Sequence, residues 1–281
     1  MIKYLFFTTI TILTFTLGSQ AKETSNEVIR LWSIEQIGGE QNKLKQDSED
    51  RGGGKTTFRN IKDPNLTFYP AKSDKPAPTI VYCPGGGYIQ VSVVQPYIDW
   101  LNSIGYNVFF LKYSVPNMRE AAFKDIQRAM RVVKHNAKKW NVDPNKIGVM
   151  GESAGGHLVA RLSQNYLTPA YKAQDEADKQ DCEPDFVIII SGAYFAKKRG
   201  GSVLADKHFH MKNDVAPTYF IYAKDDSKFI NGGITYQKAL TKAGKEAQIQ
   251  IYEKGGHQLE GVNWYPECEK WLKQQVTYSK E

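Results

Sequence analysis

From about residue 58 onward, short apolar runs alternate with segments of helical periodicity, and this alternation constrains the fold more than any other feature. Several runs are apolar on both faces, as strands buried inside a parallel sheet are. The apolar runs predict strands over 66–69, 79–83, 107–112, 146–150, 186–191, 218–222 and 247–252. The periodic segments predict helices over 96–103, 120–140, 155–167, 234–243 and 265–276. The sequence therefore predicts an α/β fold with a doubly wound, mostly parallel sheet and right-handed crossovers.

The N-terminal residues differ in composition from the rest of the chain. Lys3 is followed by an uncharged apolar stretch and then by Ser19-Gln20-Ala21, the small-x-small pattern of a cleavage site. We predict that residues 1–21 are a signal peptide and that the mature protein is secreted or periplasmic. Residues 22–56 are polar and glycine-rich and predict an N-terminal arm, and residues 57–281 predict the α/β domain.

Composition excludes several function classes. The 281 residues are 41% hydrophobic and 24% charged, which is typical of a globular domain and excludes disorder. The net charge is +7, but the lysines are interspersed with acidic residues rather than clustered, which argues against nucleic-acid binding. After the leader, no apolar run is long enough to span a membrane. The sequence leaves the oligomeric state open.

The strongest local motif is Gly151-Glu152-Ser153-Ala154-Gly155-Gly156, between a predicted strand and a predicted helix. A serine on such a sharp turn adopts strained backbone angles, and glycines two residues away on each side avoid a clash. The N-terminus of the following helix offers a backbone N–H to a developing oxyanion. The motif predicts Ser153 as a catalytic nucleophile.

Only five histidines are available as the base. His157 lies within the helix after Ser153 and is predicted to pack in the core, and His135 is predicted to lie on a polar face. His208 and His210 have a spacing that metal ligands use, but no recognisable companion ligand accompanies them. His257 follows two glycines directly after the last predicted strand, so it is the predicted general base.

The third member of a triad is a carboxylate that orients the imidazole. Asp225 and Asp226 both follow the predicted strand 218–222, and either can serve. The spacing from the strand end favours Asp226. The order Ser153, Asp226, His257 is typical of α/β-hydrolases.

The segment Pro84-Gly85-Gly86-Gly87-Tyr88 follows another predicted strand. Its glycines allow backbone N–H groups to approach a ligand oxygen. Gly86, Gly87 and Ala154 are therefore the predicted oxyanion-hole donors. A dinucleotide-binding loop is the alternative, but it needs glycine where this sequence has Gln90.

The cysteines do not match a catalytic motif. Cys83 ends a predicted strand and is predicted to be a packed free thiol. Export would permit a disulfide between Cys182 and Cys268, which spacing alone does not settle.

Several segments together resemble the α/β-hydrolase superfamily, in the branch of exported bacterial acetyl esterases and acetylxylan esterases. The resemblance is carried by Cys83-Pro84-Gly85-Gly86-Gly87-Tyr88, Asp125-Ile126-Gln127-Arg128-Ala129, Trp140-Asn141-Val142-Asp143-Pro144 and Tyr252-Glu253-Lys254-Gly255-Gly256-His257. The chain departs from that pattern in the acid loop from Asp226 to Ile230 and in the cationic run Lys197-Lys198-Arg199.

The resemblance implies a serine esterase that removes acetyl groups from carbohydrates, most readily xylan or its fragments, without metal or organic cofactor. Tyr88, Trp264 and Tyr265 are candidates for stacking on sugar rings. Alternatives are a feruloyl esterase, a prolyl-oligopeptidase-like peptidase and a non-enzymatic binding protein on a hydrolase fold. The peptidase class usually carries an N-terminal propeller, for which the arm is too short.

Overall fold

The computed structural model describes residues 26–33, 35, 46–205, 208–211 and 214–277. The predicted signal peptide lies outside these residues. Within them, the strands are β1 Val28–Arg30, β2 Asp47–Asp50, β3 Lys55–Arg59, β4 Asn65–Tyr69, β5 Ala77–Cys83, β6 Val91–Val94, β7 Asn107–Lys112, β8 Val142–Glu152, β9 Val187–Ile190, β10 Thr218–Ala223 and β11 Ala247–Tyr252. The helices are α1 Gln95–Ser103, α2 Arg119–His135, α3 Ala154–Asn165, α4 Ile230–Lys242 and α5 Tyr265–Thr277.

The central sheet has eight strands in the order β1-β4-β7-β5-β8-β9-β10-β11. The six strands from β7 to β11 in that order run parallel, and β4 and β1 add antiparallel at one edge. Strands such as β9, Val-Ile-Ile-Ile, are buried at every position, which explains their continuous apolar sequence. The predicted mostly parallel α/β sheet is confirmed.

Five neighbouring parallel strands, β5, β8, β9, β10 and β11, end at the same edge of the sheet. The motifs from the sequence follow four of them: the glycine loop after β5, Ser153 after β8, Asp226 after β10 and His257 after β11. Because parallel strands bring their carboxyl ends together, the fold collects these residues at one place.

The helix predicted over 120–140 is too long. Helix α2 ends at His135, and a turn over the next residues leads to Asn141, which has a φ of 51°. This left-handed backbone cannot continue a right-handed helix. It redirects the chain into β8, which begins at Val142, four residues before the predicted strand.

The segment 193–217 is mostly polar in sequence, which predicts a surface connection, but part of it lies in the core. Phe195 and Phe209 are buried, with their ring centroids 5.5 Å apart. Both rings also pack 4.8 Å from the ring of Tyr236 on α4. The two phenylalanines stabilise an otherwise polar segment, because each places its apolar surface against α4.

The N-terminal residues contribute strands that the sequence did not predict. Strand β1 pairs with β4 at the edge of the central sheet. Strands β2 and β3 form a second, antiparallel sheet with β6. Since β3 runs from Lys55 to Arg59, it crosses the predicted boundary at residue 57, and that boundary stays a prediction. In the described part of the chain, no helix has the length and apolar character needed to cross a bilayer.

Candidate active site

Ser153 lies on a sharp turn between β8 and α3. Its backbone angles are φ 51° and ψ −112°, which non-glycine residues rarely adopt and which store strain. The glycines at ±2 are required by close approach. A Cβ on Gly155 would lie 1.8 Å from the carbonyl oxygen of Cys83, and one on Gly151 would lie 2.3 Å from the carbonyl oxygen of Gly155. The turn therefore has the geometry that the motif predicts.

Backbone hydrogen bonds fix this turn to the neighbouring strand. The N–H of Ser153 donates to the carbonyl oxygen of Ile190 at 2.9 Å. The carbonyl oxygen of Ser153 accepts from the N–H of Ala193, also at 2.9 Å. These bonds hold the strained residue from both sides and so fix its backbone at the sheet edge.

The structure brings Ser153, His257 and Asp226 together in a hydrogen-bonded chain. The Nε2 of His257 lies 2.8 Å from the Oγ of Ser153, and its Nδ1 lies 2.8 Å from the Oδ2 of Asp226. An ionised carboxylate only accepts hydrogen bonds, so Nδ1 carries the proton and Nε2 accepts from the serine hydroxyl. The Asp226 side chain is 2% exposed and that of His257 is 26% exposed, so the acid is buried and the imidazole reaches solvent.

Asp225 has a different position from its neighbour. Its carboxylate accepts from the backbone N–H of Gly256 at 2.8 Å and from that of Gly255 at 3.4 Å. Asp225 therefore holds the backbone of the loop that carries His257. The hydrogen bond to the imidazole comes from Asp226 instead. Of the two aspartates that the sequence left open, Asp226 is the one bonded to the histidine.

The predicted oxyanion donors lie next to the serine in sequence or line the same cleft. Ala154 is the first residue of α3, where a backbone N–H has no acceptor within the helix. Gly86 and Gly87 line the same cleft as Ser153 and have φ values of 131° and 68°. Their roles as donors stay predictions, because the oxygen that would accept these hydrogen bonds belongs to the substrate.

This cleft has a volume of about 440 Å³ and a largely polar lining. Lys55 on β3 contributes one side of it, and its Nζ donates to the Oε1 of Gln258 at 2.6 Å. Sequence reasoning missed both residues, because Lys55 comes from the supposed arm and Gln258 has no motif of its own. The remaining lining residues are Arg51, Thr57, Gly85, Gly86, Gly87, Gln90, Ser92, Glu152, Ser153 and His257.

Glu152 is a second residue whose role the motif did not reveal. It is 5% exposed and lines the cleft, and its Oε2 makes no hydrogen bond to the described residues. Burial raises the pKa of this carboxyl, while the nearby Lys55 and His257 oppose that shift. The site therefore contains an acid next to the nucleophile in addition to Asp226.

His157 packs in the core, as predicted. Its Nδ1 lies 2.8 Å from the hydroxyl of Tyr88, and burial, together with the nearby Arg119, lowers the pKa of His157 to about 3. The same contact corrects the expectation for Tyr88. That side chain is 1% exposed, so it supports the glycine loop from inside and is not available to stack on a sugar.

The other candidates for stacking on sugars pack against aromatic rings of the protein itself. Trp264 is buried, and its ring packs 5.2 Å from those of Tyr97 and Trp100, so it is not a sugar platform either. Tyr265 is partly buried against Trp100. Among the described residues, no group of three or more His, Cys, Asp or Glu side chains is arranged to hold a metal ion.

All three cysteines are buried free thiols. The disulfide considered between Cys182 and Cys268 is therefore not formed. Burial raises the pKa of Cys182 to about 11 and raises that of Cys268 further. Both groups stay protonated, as expected for packed thiols.

Comparison with known proteins agrees with the geometry. The BD-FAE family model matches residues 67–197. The structure superposes on an acetyl ester-xyloside bifunctional hydrolase from Caldicellulosiruptor lactoaceticus with a TM-score of 0.70 and 28% identity, covering 89% of this chain and 96% of that one. The chain belongs to the α/β-hydrolase superfamily. Within that superfamily, residues 67–197 are similar to the BD-FAE family.

Two curated relatives are similar over part of their length. An acetylxylan esterase of Xylanibacter ruminicola is 29% identical over 205 residues, which are 66% of this chain and 42% of the relative. Endo-1,4-beta-xylanase B of Butyrivibrio fibrisolvens is 32% identical over 134 residues, which are 45% of this chain and 21% of the relative. The chain thus spans less than half the length of these relatives.

Proposed function

We propose that the protein is a secreted serine esterase that removes acetyl or other small acyl groups from carbohydrate esters, with acetylated xylan or its oligosaccharides as substrates. The observation that carries this proposal is the chain of two 2.8 Å hydrogen bonds from Ser153 through His257 to Asp226. It is supported by the similarity to an acetylxylan esterase and to an acetyl ester-xyloside hydrolase.

In the first half of the reaction, Ser153 Oγ attacks the ester carbonyl carbon. His257 Nε2 takes the hydroxyl proton as the new C–O bond forms, and the resulting imidazolium is stabilised by Asp226. The carbonyl oxygen gains negative charge and is held by the N–H groups of Gly86, Gly87 and Ala154. The carbonyl then re-forms, the bond to the sugar oxygen breaks, and the sugar leaves with the proton from His257.

In the second half, water attacks the acyl-serine. His257 removes a proton from the water, and the same N–H groups again stabilise the tetrahedral oxyanion. Collapse of this intermediate releases the carboxylic acid and returns the proton to Ser153. The His257 side chain is partly exposed, which gives water access to Nε2. No step requires a metal or an organic cofactor.

The cleft beside Ser153 supports a sugar as the alcohol part of the ester. Its lining of Lys55, Gln90, Ser92 and Gln258 side chains offers donors and acceptors for hydroxyl groups. Its volume of about 440 Å³ lies in the range of small-molecule sites.

Two assays test this proposal. The first measures kcat/KM on p-nitrophenyl esters of two, four and eight carbons, together with labelling of the serine by a fluorophosphonate probe. We expect the two-carbon ester to be preferred over the four-carbon ester by about tenfold, since overpacking an acetyl-sized pocket costs ~1–3 kcal/mol. The second measures acetate released from acetylated xylo-oligosaccharides.

The outcomes separate the parts of the proposal. Acetate release and labelling at Ser153 support the whole of it. Labelling combined with a maximum at eight carbons, or with no acetate released, contradicts the carbohydrate substrate and leaves a serine esterase. Absence of labelling and of p-nitrophenyl acetate hydrolysis contradicts the esterase itself and favours a binding protein.

A further inference from the structure

A second, smaller cleft lies beside the triad and is bordered by cationic side chains. Its volume is about 110 Å³, a quarter of that of the cleft at Ser153, so it suits one substituent rather than a chain of sugars. Aromatic side chains of Tyr194 and Phe229 form its walls. Its charged lining residues are Lys197, Lys198, Arg199 and Lys228.

These charges come from two segments that are hydrogen-bonded to each other. The N–H of Gly200 donates to the carbonyl oxygen of Lys228 at 2.8 Å. The Nδ2 of Asn231 donates to the carbonyl oxygen of Gly200 at 2.9 Å. The turn carrying Lys198 and Arg199 is therefore held against the start of α4, and its cations stay next to Lys228.

The local electrostatics favour an anion. Lys198, Arg199 and Lys228 are exposed on the rim of one cleft, where like charges repel each other. Helix α4 begins at Ile230 beside them and has no acidic residue in its first turn, so the positive end of its dipole adds to the same potential. A bound negative group would relieve this repulsion.

The cleft is close to the reacting atoms. The ring centre of Phe229 lies 4.8 Å from that of His257 and 5.9 Å from the guanidinium carbon of Arg199. The hydroxyl of Tyr194 donates to the carbonyl oxygen of Gly87 at 3.4 Å. Arg199 and His257 thus both lie near the Phe229 ring, so the cationic rim is within reach of a ligand whose ester is at Ser153.

We propose that this cleft binds a carboxylate on the carbohydrate part of the substrate, so that the protein prefers acyl esters of uronate-bearing oligosaccharides. The inference rests on the proposed esterase function and specifies its substrate class. Aromatic walls offer apolar surface to a sugar ring, while Lys198, Arg199 and Lys228 offer charge-assisted hydrogen bonds to its carboxylate.

The test compares two acetylated xylo-oligosaccharides of equal length, one neutral and one carrying a single glucuronate. The measured quantity is the ratio of kcat/KM for the acidic substrate to that for the neutral one, which cancels losses common to both. We expect a ratio of about ten for the wild type at low salt, because several exposed ion pairs together favour the acidic substrate by about that factor. The ratio should fall as ionic strength rises from about 0.05 M to about 0.5 M.

Matched variants assign the effect to the cleft. The triple variant K198A/R199A/K228A should bring the ratio to within about twofold of one, and K198R/K228R should keep it, because the charges remain. The control K138A/K238A/K242A removes the same net charge from exposed positions. Lys238 lies about 12 Å along α4 from its first residue. This control should keep the wild-type ratio.

Four results would overturn the proposal. The first is a wild-type ratio near one, and the second is an unchanged ratio in the triple variant. The third is a loss in K198R/K228R equal to that in the triple variant, and the fourth is an equal loss in the control.

A single variant replaces the triple variant if that protein does not fold. R199Q alone should lower the ratio by about threefold, and an unchanged ratio in R199Q also overturns the proposal. Inactivity of the wild type on p-nitrophenyl acetate overturns the esterase proposal and this inference with it, whereas a ratio near one with normal p-nitrophenyl acetate activity overturns only the inference.

Discussion

Most rim residues of the two clefts come from other parts of the chain than the triad, and only Lys228 and Gln258 follow closely after Asp226 and His257. Ser153, Asp226 and His257 each follow a parallel strand, and the register of those strands fixes their separations. The other rim residues come from elsewhere: Lys55 lies on the small antiparallel sheet, and Arg199 lies on the long connection between β9 and β10. The proposed chemistry is thus positioned by the most buried part of the fold, and the proposed substrate contacts by segments attached to it.

The difference has a physical reason. A residue at the end of a buried strand can move only if the hydrogen-bond ladder moves with it, whereas a long connection can change in sequence and length without disturbing the sheet. Substitutions in the triad should therefore change turnover strongly for every ester. Substitutions on the rims should change preference among esters by smaller factors.

The largest effect is expected for Ser153→Ala. Removing the nucleophile should lower turnover on p-nitrophenyl acetate by at least about 10³, because the serine carries most of the triad's effect. The melting temperature should not fall, since the substitution removes only one hydroxyl group. Steady-state kinetics and thermal unfolding check both parts, and wild-type turnover in the variant would contradict the assignment.

The two neighbouring aspartates give the next largest contrast. Asp226→Asn should lower turnover by about 10²–10⁴, because an amide at this position favours the wrong imidazole tautomer. Asp225→Asn should cost less than about tenfold, since its carboxylate holds only the backbone of Gly255 and Gly256. Each variant is the other's control for charge, and the reverse ranking would transfer the role to Asp225.

His157 connects the two regions, because it lies on α3 and its ring packs 5.5 Å from that of Phe209 in the long connection. Its pKa of about 3 lies below the ordinary value of 6.5. As pH falls, His157 therefore binds a proton in the unfolded chain at a higher pH than it does in the folded protein. The stability that neutral His157 contributes is present above pH 6.5 and is lost as pH falls toward 3.

We expect His157→Gln to flatten the pH dependence of the free energy of unfolding in this window, by up to ~1.4 kcal/mol per pH unit. Glutamine cannot titrate but can still pair with the Tyr88 hydroxyl. Denaturant unfolding at a series of pH values measures the slope, and His135→Gln, at an exposed helix end, is the control. Parallel curves for His157→Gln and the wild type would show that the ring does not titrate as inferred.

The smallest effect is expected at the rim of the larger cleft. Lys55→Ala removes one exposed hydrogen bond to Gln258 and should raise KM for acetylated oligosaccharides by about two- to fivefold, as the loss of about 0.5–1 kcal/mol implies. Lys75→Ala, in an exposed turn, is the control. A thousandfold loss of turnover in Lys55→Ala would contradict the distinction between triad residues and rim residues.

The sequence alone determined the order of seven strands of the central sheet and of the helices between them, and the places where the predicted catalytic residues lie. Strands that are buried on both faces need continuous apolar runs, so β7 was predicted with its observed bounds. The strained turn at Ser153 needs glycines, and these are visible as letters in the sequence. Both features are local, since each depends on residues close together in the chain.

Tertiary structure alone decided the remaining features. Asp225 and Asp226 are neighbours of identical chemistry, and only the position of His257, 31 residues further on, distinguishes them. Tyr88 has an aromatic side chain of the kind that stacks on sugars, but it is buried against His157. Lys55 lines the cleft because β3 pairs with β6. These outcomes depend on contacts between distant segments, whose energies are set by how the chain packs and leave no pattern in the local sequence.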